Sequence, residues 1–327
     1  MTAFITFAGI IIGLLGCSVT LVTSHSAPVT ARTEHGSQRL SSNSQAVASP
    51  KVPHQTPMVD AYNLPYSEDD NIVLNIIAGV EARPHRHSFM ASLQRGNHIC
   101  GGSILSKWHV LTAAHCVTKD YNQQPYPLGY FRLAVGLHDR LGYSEANLFR
   151  VAKITIHPHY NRTGFYNDLA ILTLDHAIPR VVRGIKVSRI ALPGSSQTAP
   201  IPNGANRFKV IGWGYVENKS STKRMFARKL QEATFALLPQ KECGLRTGIL
   251  PMPITKLCIE SSAKSVCIGD TGGPIFRAMP NGRLQLEGVL SYVSGECQGR
   301  GEAIVFSRVS QFLPWINNVS SVTPPAV

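Results

Sequence analysis

The stretch Ser265-Val-Cys-Ile-Gly-Asp-Thr-Gly-Gly-Pro274 places a threonine, Thr271, between an aspartate and two glycines. A hydroxyl side chain becomes a nucleophile when a general base lies beside it. Glycine lets the backbone turn sharply, so that Gly269 allows amide N–H groups to converge on a developing oxyanion. The stretch therefore predicts a nucleophile on a tight turn, with Gly269 and Thr271 supplying the oxyanion amides.

Two further stretches upstream supply the partners that such a nucleophile needs. Leu111-Thr-Ala-Ala-His115-Cys116 offers a histidine, the side chain whose pKa lies nearest neutrality and therefore the usual general base. Asn167-Asp168-Leu-Ala-Ile-Leu172 offers a carboxylate that would fix the tautomer of that imidazole. Each hexapeptide alone could arise by chance, but the order histidine, aspartate, nucleophile indicates a peptide-cleaving site built from His115, Asp168 and Thr271.

These motifs resemble those of the trypsin/chymotrypsin (S1) family of serine proteases, and the resemblance runs from Ile76 to about Val319. Its supporting motifs are Ile76-Ile-Ala-Gly79, Cys100-Gly-Gly-Ser103, Ile211-Gly-Trp-Gly214, Ser291-Tyr-Val293 and Gln311-Phe-Leu-Pro-Trp-Ile316. The segments Ala82-Arg-Pro-His85 and Ser88-Phe-Met-Ala-Ser-Leu93 look most like the neutrophil elastase and azurocidin branch.

The resemblance implies an all-β fold of two antiparallel six-stranded β-barrels with a short C-terminal helix. Short apolar runs separated by Gly, Pro and Asn turns favour the all-β class independently. The expected organisation is a signal peptide (1–27), a disordered pro-segment (28–75), an N-terminal barrel (76–192), a C-terminal barrel (193–319) and a tail (320–327).

Six cysteines follow the candidate signal peptide, an even number suited to disulfides in a secreted chain. The resemblance implies three bridges, Cys100–Cys116, Cys243–Cys258 and Cys267–Cys297. No CxxC pair is present, so a zinc site is not predicted. The family's calcium loop would require a carboxylate near Leu137, where none lies, and we expect neither metal nor cofactor.

Thr271 occupies the position at which the family has serine. A β-branched residue is stiff at χ1, so aiming its hydroxyl at His115 forces its methyl group against neighbouring atoms. A misplacement near 1 Å can cost about a hundredfold in rate. We therefore expect proteolysis to be absent or strongly impaired.

Activation in this family creates a new N-terminal ammonium that pairs with the aspartate before the nucleophile. Ile76 and Asp270 are the matching residues here. The bond to be cut follows Asn75, which is not a site for a trypsin-like convertase, whereas an asparaginyl endopeptidase would suit it. The alternative is that the chain functions uncut.

The family's specificity pocket corresponds to Ser265, Ser291, Val293 and Ile304. Ser265 takes the place of the aspartate of trypsin, so a preference for Arg or Lys is not encoded. Val293 and Ile304 fall where chymotrypsin has glycines. The resemblance thus implies a shallow pocket for small aliphatic side chains.

The N-terminus and the charge distribution indicate a secreted, basic protein. Ala3 to Val22 is almost entirely apolar and is followed by small residues, as in a signal peptide, with an uncleaved anchor as the alternative. From Ile76 onward, 29 Lys and Arg residues face 14 Asp and Glu residues, a net charge of +15 that would attract polyanions such as heparin-like glycans or anionic membranes. We expect secretion, with storage in granules as one destination, and a monomer without sequence-specific nucleic-acid binding.

Two sets of surface residues complete the predictions. The basic cluster, our candidate for polyanion binding, comprises Lys219, Lys223, Arg224, Arg228 and Lys229. The glycosylation sequons begin at Asn161, Asn218 and Asn318.

Two functions follow from these observations. In one, the protein is a serine protease homologue that binds peptides or polyanions without cutting. In the other, it is a slow elastase-like endopeptidase that uses Thr271 as its nucleophile.

Overall fold

The computed structural model of the protein describes residues 79–120, 122–194, 208–216, 225–261, 265–295 and 301–321. The candidate signal peptide and pro-segment, with Ile76, lie outside these ranges. No helix in the described part of the chain is long and apolar enough to cross a membrane.

The described residues are mostly β-structure, as the sequence predicts. The strands are β1 (Val80–Glu81), β2 (Met90–Arg95), β3 (Asn97–Ile104), β4 (His109–Thr112), β5 (Arg132–Val135), β6 (Leu148–Ile156), β7 (Ala170–Leu174), β8 (Val181–Val182), β9 (Ile185–Lys186), β10 (Phe208–Gly212), β11 (Tyr215–Val216), β12 (Met225–Phe226), β13 (Gln231–Phe235), β14 (Lys256–Glu260), β15 (Pro274–Ala278), β16 (Leu284–Val293) and β17 (Ala303–Arg308). The α-helices are α1 (Gln240–Thr247) and α2 (Leu313–Ser320).

Strands β2 to β7 close into a six-stranded antiparallel barrel in the order β2-β3-β4-β7-β6-β5. Pairing of Ala91 with Val135 joins β2 to β5 and completes the circle. β7 is buried at all its positions, because its side chains fill the barrel core and α2 packs against this part of the barrel. The first of the two expected barrels is therefore present.

The second expected barrel is instead an open seven-stranded sheet in the order β1-β13-β10-β15-β16-β17-β14. Its strands β13 and β14 approach at one isolated bridge, Leu237 to Ile259, rather than along a ladder. Pairing stops there because Pro239 has no N–H group to donate and the chain turns into α1 at Gln240. The prediction of two closed barrels was wrong in this respect, and α1 is a helix that the sequence did not predict.

The ends of the described chain cross between the two sheets. β1 pairs with β13 of the open sheet, although the predicted boundaries assign it to the N-terminal barrel. The expected C-terminal helix is present as α2, and its Trp315 ring packs 5.0 Å from the His157 ring of the first barrel. Each end of the described chain therefore connects the first barrel with the open sheet.

The two sheets also approach each other closely beside Thr271. The Gly101 N–H of β3 donates to the Thr271 carbonyl at 2.8 Å. A Cβ on Gly101 would lie 2.7 Å from Gly273 Cα, which is closer than real Cβ contacts allow. Glycine is therefore required at this position so that the Thr271 turn can lie directly against the barrel that carries His115 and Asp168.

Candidate active site

His115 lies in a 3₁₀ turn, Ala114–Cys116, that follows the end of β4. Its side chain is almost fully buried, with Nδ1 2.8 Å from Asp168 Oδ2 and its backbone N–H donating to Asp168 Oδ1 at 2.9 Å. Because an ionised carboxylate can only accept, the Nδ1 atom carries the proton of the neutral ring. The Nε2 atom is then the one available to accept a proton from a substrate or nucleophile.

Asp168 is completely buried and is held from the open sheet as well as by His115. Ser291 of β16 donates its hydroxyl to Asp168 Oδ2 at 2.6 Å, and Ser307 of β17 donates to the Asp168 carbonyl at 3.2 Å. Burial by itself raises the pKa of Asp168, yet the adjoining His115 ring, the Lys256 ammonium and the Ser291 hydrogen bond hold that pKa below its ordinary value. The carboxylate therefore stays ionised despite its burial.

Thr271 places its hydroxyl against a disulfide rather than against the imidazole. Its Oγ1 lies 3.3 Å from Cys100 Sγ and 3.9 Å from Cys116 Sγ, and those sulfurs are bonded to each other. Because disulfide sulfurs carry no hydrogen, the threonine hydroxyl is the donor in both contacts. Within the described ranges, no hydrogen bond joins Thr271 Oγ1 to His115.

The turn around Thr271 leaves two amides pointing away from the backbone network. Gly269 has a φ of +95°, in the left-handed region that glycine tolerates. Neither the Gly269 nor the Thr271 N–H donates to another backbone atom of the described chain, whereas the Asp270, Gly272 and Gly273 amides all do. Two N–H groups that flank Asp270 and have no backbone acceptor among the described residues are suited to donate to an oxyanion.

Asp270 is buried behind the turn and binds backbone amides. Its Oδ1 accepts from the Gly214 N–H at 2.7 Å and its Oδ2 from the Cys267 N–H at 3.0 Å. Burial raises its pKa to about 6, although the two amide hydrogen bonds act in the opposite direction. Cβ atoms on Gly212 and Gly214 would lie 1.9 and 2.3 Å from the carboxylate oxygens, so both glycines are needed to admit it. The expected partner Ile76 lies outside the described residues.

The four predicted pocket residues lie on two neighbouring strands, β16 and β17, or at the start of the turn. Val293 of β16 pairs directly with Ile304 of β17, so both side chains project from the same face of the sheet. They pack in one cluster with Val266, which follows the buried Ser265. The remaining residue, Ser291, contributes its hydroxyl to Asp168 instead.

Disulfides fix two loops of the site region. The structure joins Cys100 to Cys116 and Cys243 to Cys258. Cys267 is also disulfide-bonded, and its expected partner Cys297 lies outside the described residues.

A cluster with metal-binding geometry coincides with the first of these bridges. In the part of the chain that the structure describes, the one such cluster consists of Cys100, His115 and Cys116. Both sulfurs belong to the disulfide and offer no thiolate, so the cluster lacks the ligands that a structural metal requires.

The predicted surface residues are only partly described. Arg228 Nε lies 2.9 Å from Asp139 Oδ2, and Lys229 Nζ lies 3.5 Å from Glu81 Oε2. The other members of the basic cluster, Lys219, Lys223 and Arg224, and the sequon residue Asn218 lie outside the described ranges. The remaining sequon residues, Asn161 and Asn318, are both exposed.

Three residues near the site were missed by the sequence analysis. His98 is buried, with its Nε2 2.9 Å from the Gly269 carbonyl, and burial lowers its pKa to about 3. Phe165 packs its ring 5.7 Å from the His115 ring, and Lys256 donates to the Phe165 carbonyl. No sequence signal could have identified them, because each acts through contacts between distant parts of the chain.

Comparison with known proteins agrees with this geometry. The family model described as Trypsin matches residues 76–316. Rat granzyme M is 33% identical over 251 residues, covering 75% of this chain and 88% of that protein. Human granzyme M is 32% identical over 250 residues (75% and 89%), and rat chymotrypsin-C is 30% identical over 255 residues (76% and 89%). The neutrophil elastase and azurocidin branch stays a prediction. The chain belongs to the trypsin family of serine proteases, the S1 peptidases.

Proposed function

We propose that this protein is a trypsin-family homologue that binds peptides in its cleft while Thr271 suppresses their hydrolysis. The observation that carries the proposal is the orientation of the threonine hydroxyl, which donates toward Cys100 Sγ at 3.3 Å and not to His115. The rest of the charge network is intact, with His115 Nδ1 2.8 Å and Ser291 Oγ 2.6 Å from Asp168 Oδ2. The general base, His115, is therefore in place, whereas the hydroxyl of the nucleophile, Thr271, is directed away from it.

The methyl group of Thr271 accounts for this orientation. Rotating the hydroxyl toward His115 would carry the methyl into space bordered by the imidazole, the incoming carbonyl and the Cys100–Cys116 disulfide. A serine lacks this methyl and can rotate freely. Loss of a working triad member costs up to roughly a millionfold in rate, which is the upper limit of the impairment that we propose.

The pocket supports binding of small aliphatic side chains. The direct pairing of Val293 with Ile304 puts two branched side chains on one face of the sheet, which supports a pocket of this kind. Ser265 is neutral and its hydroxyl donates to the neighbouring Val266 carbonyl at 3.2 Å, so it offers no charge to a basic substrate residue. We propose that the peptide residue whose carbonyl lies next to Thr271 is preferably Ala or Val.

The decisive experiment compares hydrolysis of an Ala-Ala-Pro-Val peptide ester by three forms of the chain cut between Asn75 and Ile76. The forms are the parent, Thr271→Ser and Thr271→Ala. We expect hydrolysis only with Thr271→Ser, and equal background rates for the other two. If Thr271→Ser also stays at background, the charge network does not form a working site and this proposal is wrong.

The alternative is a slow elastase-like endopeptidase that uses Thr271 itself. The intact hydrogen bonds of Asp168 to His115 and Ser291 favour it, because an oriented general base would serve no purpose in a site without a working nucleophile. In the same experiment this alternative requires the parent to exceed Thr271→Ala. Loss of parental activity when His115 is changed to Ala would then assign the base.

A further inference from the structure

Lys256 begins β14 and is one of the largest fully buried side chains of the protein, with 1% of its surface exposed. Charged side chains are almost never fully buried unless partners compensate the lost hydration.

The Lys256 ammonium lies among three groups of the cleft wall. It donates a hydrogen bond to the Phe165 carbonyl, and it lies 5.3 Å from the centre of the Tyr292 ring, within range of a cation–π interaction. The Asp168 carboxylate supplies an opposing negative charge. All three partners belong to the site or to the turn that leads into it.

Three side chains of the open sheet, one of them Lys256, bind the turn of the first barrel that contains Phe165 and Asp168. The partner of Lys256 across β14 and β17 is Ser307, which donates to the Asp168 carbonyl at 3.2 Å. Ser291 of β16 donates to the Asp168 carboxylate at 2.6 Å. These three side chains, which we call the clasp, bind the first barrel's turn at its carbonyl groups and at its carboxylate.

The turn that the clasp binds is strained. Phe165 has a φ of +49° and Asn167 a φ of +51°, and both are non-glycine residues in the left-handed region. Such residues persist only where the surrounding structure holds them in place. A hydrogen bond to the carbonyl of Phe165 itself is a direct way to do so.

The position of Phe165 matters because its ring forms part of the site. The ring centre lies 5.7 Å from the His115 ring, edge to face, and 5.4 Å from the Tyr292 ring. The Phe165 side chain is buried, so it has little freedom to move while its backbone is fixed. Releasing the backbone would move the wall beside His115.

We propose that Lys256 is a positioning residue of the candidate site, whose buried ammonium fixes the Phe165 turn and thereby the aromatic wall between His115 and Tyr292. The inference rests on the proposed function, because the wall acts on a ligand only if the cleft holds peptides.

The charge state of Lys256 is compatible with this role. Burial lowers its pKa to about 8, while the Asp168 carboxylate raises it. The groups that face the ammonium from the neighbouring elements are Asp168 on the turn and the Tyr292 ring on β16. The side chain therefore remains protonated at neutral pH and has the donors that the Phe165 carbonyl needs.

The test uses the full chain and needs no catalysis. Lys256→Met keeps an unbranched side chain, one heavy atom shorter, and removes the ammonium, and it is compared with the parent at pH 7. One readout is amide hydrogen exchange in residues 161–168, and the other is the NMR signal of the His115 ring proton at Cε1. We expect exchange to accelerate tenfold or more, about the effect of losing a hydrogen bond to a charged group. We expect the ring signal to shift, because the Phe165 ring that shields it moves.

The matched control is Lys209→Met, which removes a lysine of β10 that pairs with Glu232 at 2.5 Å, away from the turn. The control should leave both readouts as in the parent. Should Lys256→Met not fold, Lys256→Gln, which is neutral and polar, carries the same comparison.

The inference would be overturned if the Lys256 variant exchanged its amide hydrogens at the parental rate and its His115 signal were unchanged. A purely global loss of stability would accelerate exchange in all strands, including β2, without the local pattern, and would also overturn it. Neither readout depends on hydrolysis, so failure of the proposed function appears separately, as an inactive Thr271→Ser.

Discussion

One methyl group distinguishes Thr271 from serine, and its effect depends on the atoms around it. The hydroxyl lies 3.3 Å from the sulfur of Cys100, while the general base His115 keeps its hydrogen bond to Asp168. A hydroxyl-to-sulfur contact is weak, so the orientation reflects where the methyl fits and not a strong bond that holds the hydroxyl. The comparison of Thr271→Ser with Thr271→Ala measures this steric effect directly.

Asp270 gives a pH-dependent prediction at the scale of one residue. Its pKa is about 6 in the folded chain against 3.8 ordinarily, so between these pH values the folded chain binds more protons than the unfolded chain. The contribution of this group to stability is therefore fully present below pH 4 and is lost as the pH rises through 6. A difference of about two pKa units corresponds to about 3 kcal/mol.

The test compares urea unfolding of uncut parent and Asp270→Asn at pH 4 and pH 7. We expect the variant to gain about 3 kcal/mol relative to the parent between these two pH values, because it has no carboxylate to ionise. A difference between the two proteins that does not change with pH would contradict the prediction. Cleavage before Ile76 is the informative control, since an ammonium paired with Asp270 would abolish the pH dependence.

At the scale of elements, the turn that carries His115 depends on the bridge between β3 and the 3₁₀ turn. Cys100 lies in β3 and Cys116 ends the turn, with 16 residues of separation between them. A disulfide stabilises chiefly by restricting the unfolded chain, and a loop of this length corresponds to about 3 kcal/mol. The same bridge supplies the sulfurs that Thr271 contacts.

We therefore expect the double variant Cys100→Ala, Cys116→Ala to lose about 3 kcal/mol of unfolding free energy. Combined with Thr271→Ser, it should also lose peptide hydrolysis. The matched control is Cys243→Ala, Cys258→Ala, whose loop has a separation of 15 and should cost a similar free energy while sparing hydrolysis. Equal loss of hydrolysis in both double variants would show that the first bridge has no particular role in the site.

The family resemblance predicted the first barrel, and the motifs that carry it include His115 and Asp168, which lie 2.8 Å apart in the structure. Short motifs around His115, Asp168 and Thr271 carry the residue types that nucleophilic catalysis needs. The open second sheet escaped prediction because its closure fails at Pro239, and a sequence does not reveal which strand pairs end early. Lys256 escaped because its partner carbonyl, that of Phe165, is 91 residues away.

At the scale of the whole molecule, the net charge of +13 sets the interactions with other charged bodies. Not all of that positive charge is equally available to a polyanion. Arg228 and Lys229 pair with Asp139 and Glu81, so part of their field is cancelled locally. We expect the other members of the basic cluster, Lys219, Lys223 and Arg224, to contribute more to polyanion binding than Arg228 and Lys229 do.

We predict that Lys219→Gln, Lys223→Gln, Arg224→Gln lowers the salt concentration for elution from heparin more than Arg228→Gln, Lys229→Gln does. The physical reason is that the second pair is already neutralised by carboxylates at 2.9 and 3.5 Å. Elution on a sodium chloride gradient measures the difference, and Lys153→Gln, a residue of the first barrel, is the control for loss of one charge. Equal shifts per charge in all variants would mean that only net charge matters.

The open edge of the second sheet has a consequence for how molecules of this protein meet one another. β13 and β14 are joined by the single Leu237–Ile259 bridge, and α1 lies beside β14, tied to it by the Cys243–Cys258 bond. An uncovered strand edge is a template for adding a strand from another molecule. We expect reduction of the Cys243–Cys258 bond to release α1 from β14 and to favour addition of a strand from a second molecule at this edge. An oxidising compartment would preserve the bond and so keep the edge closed to other molecules.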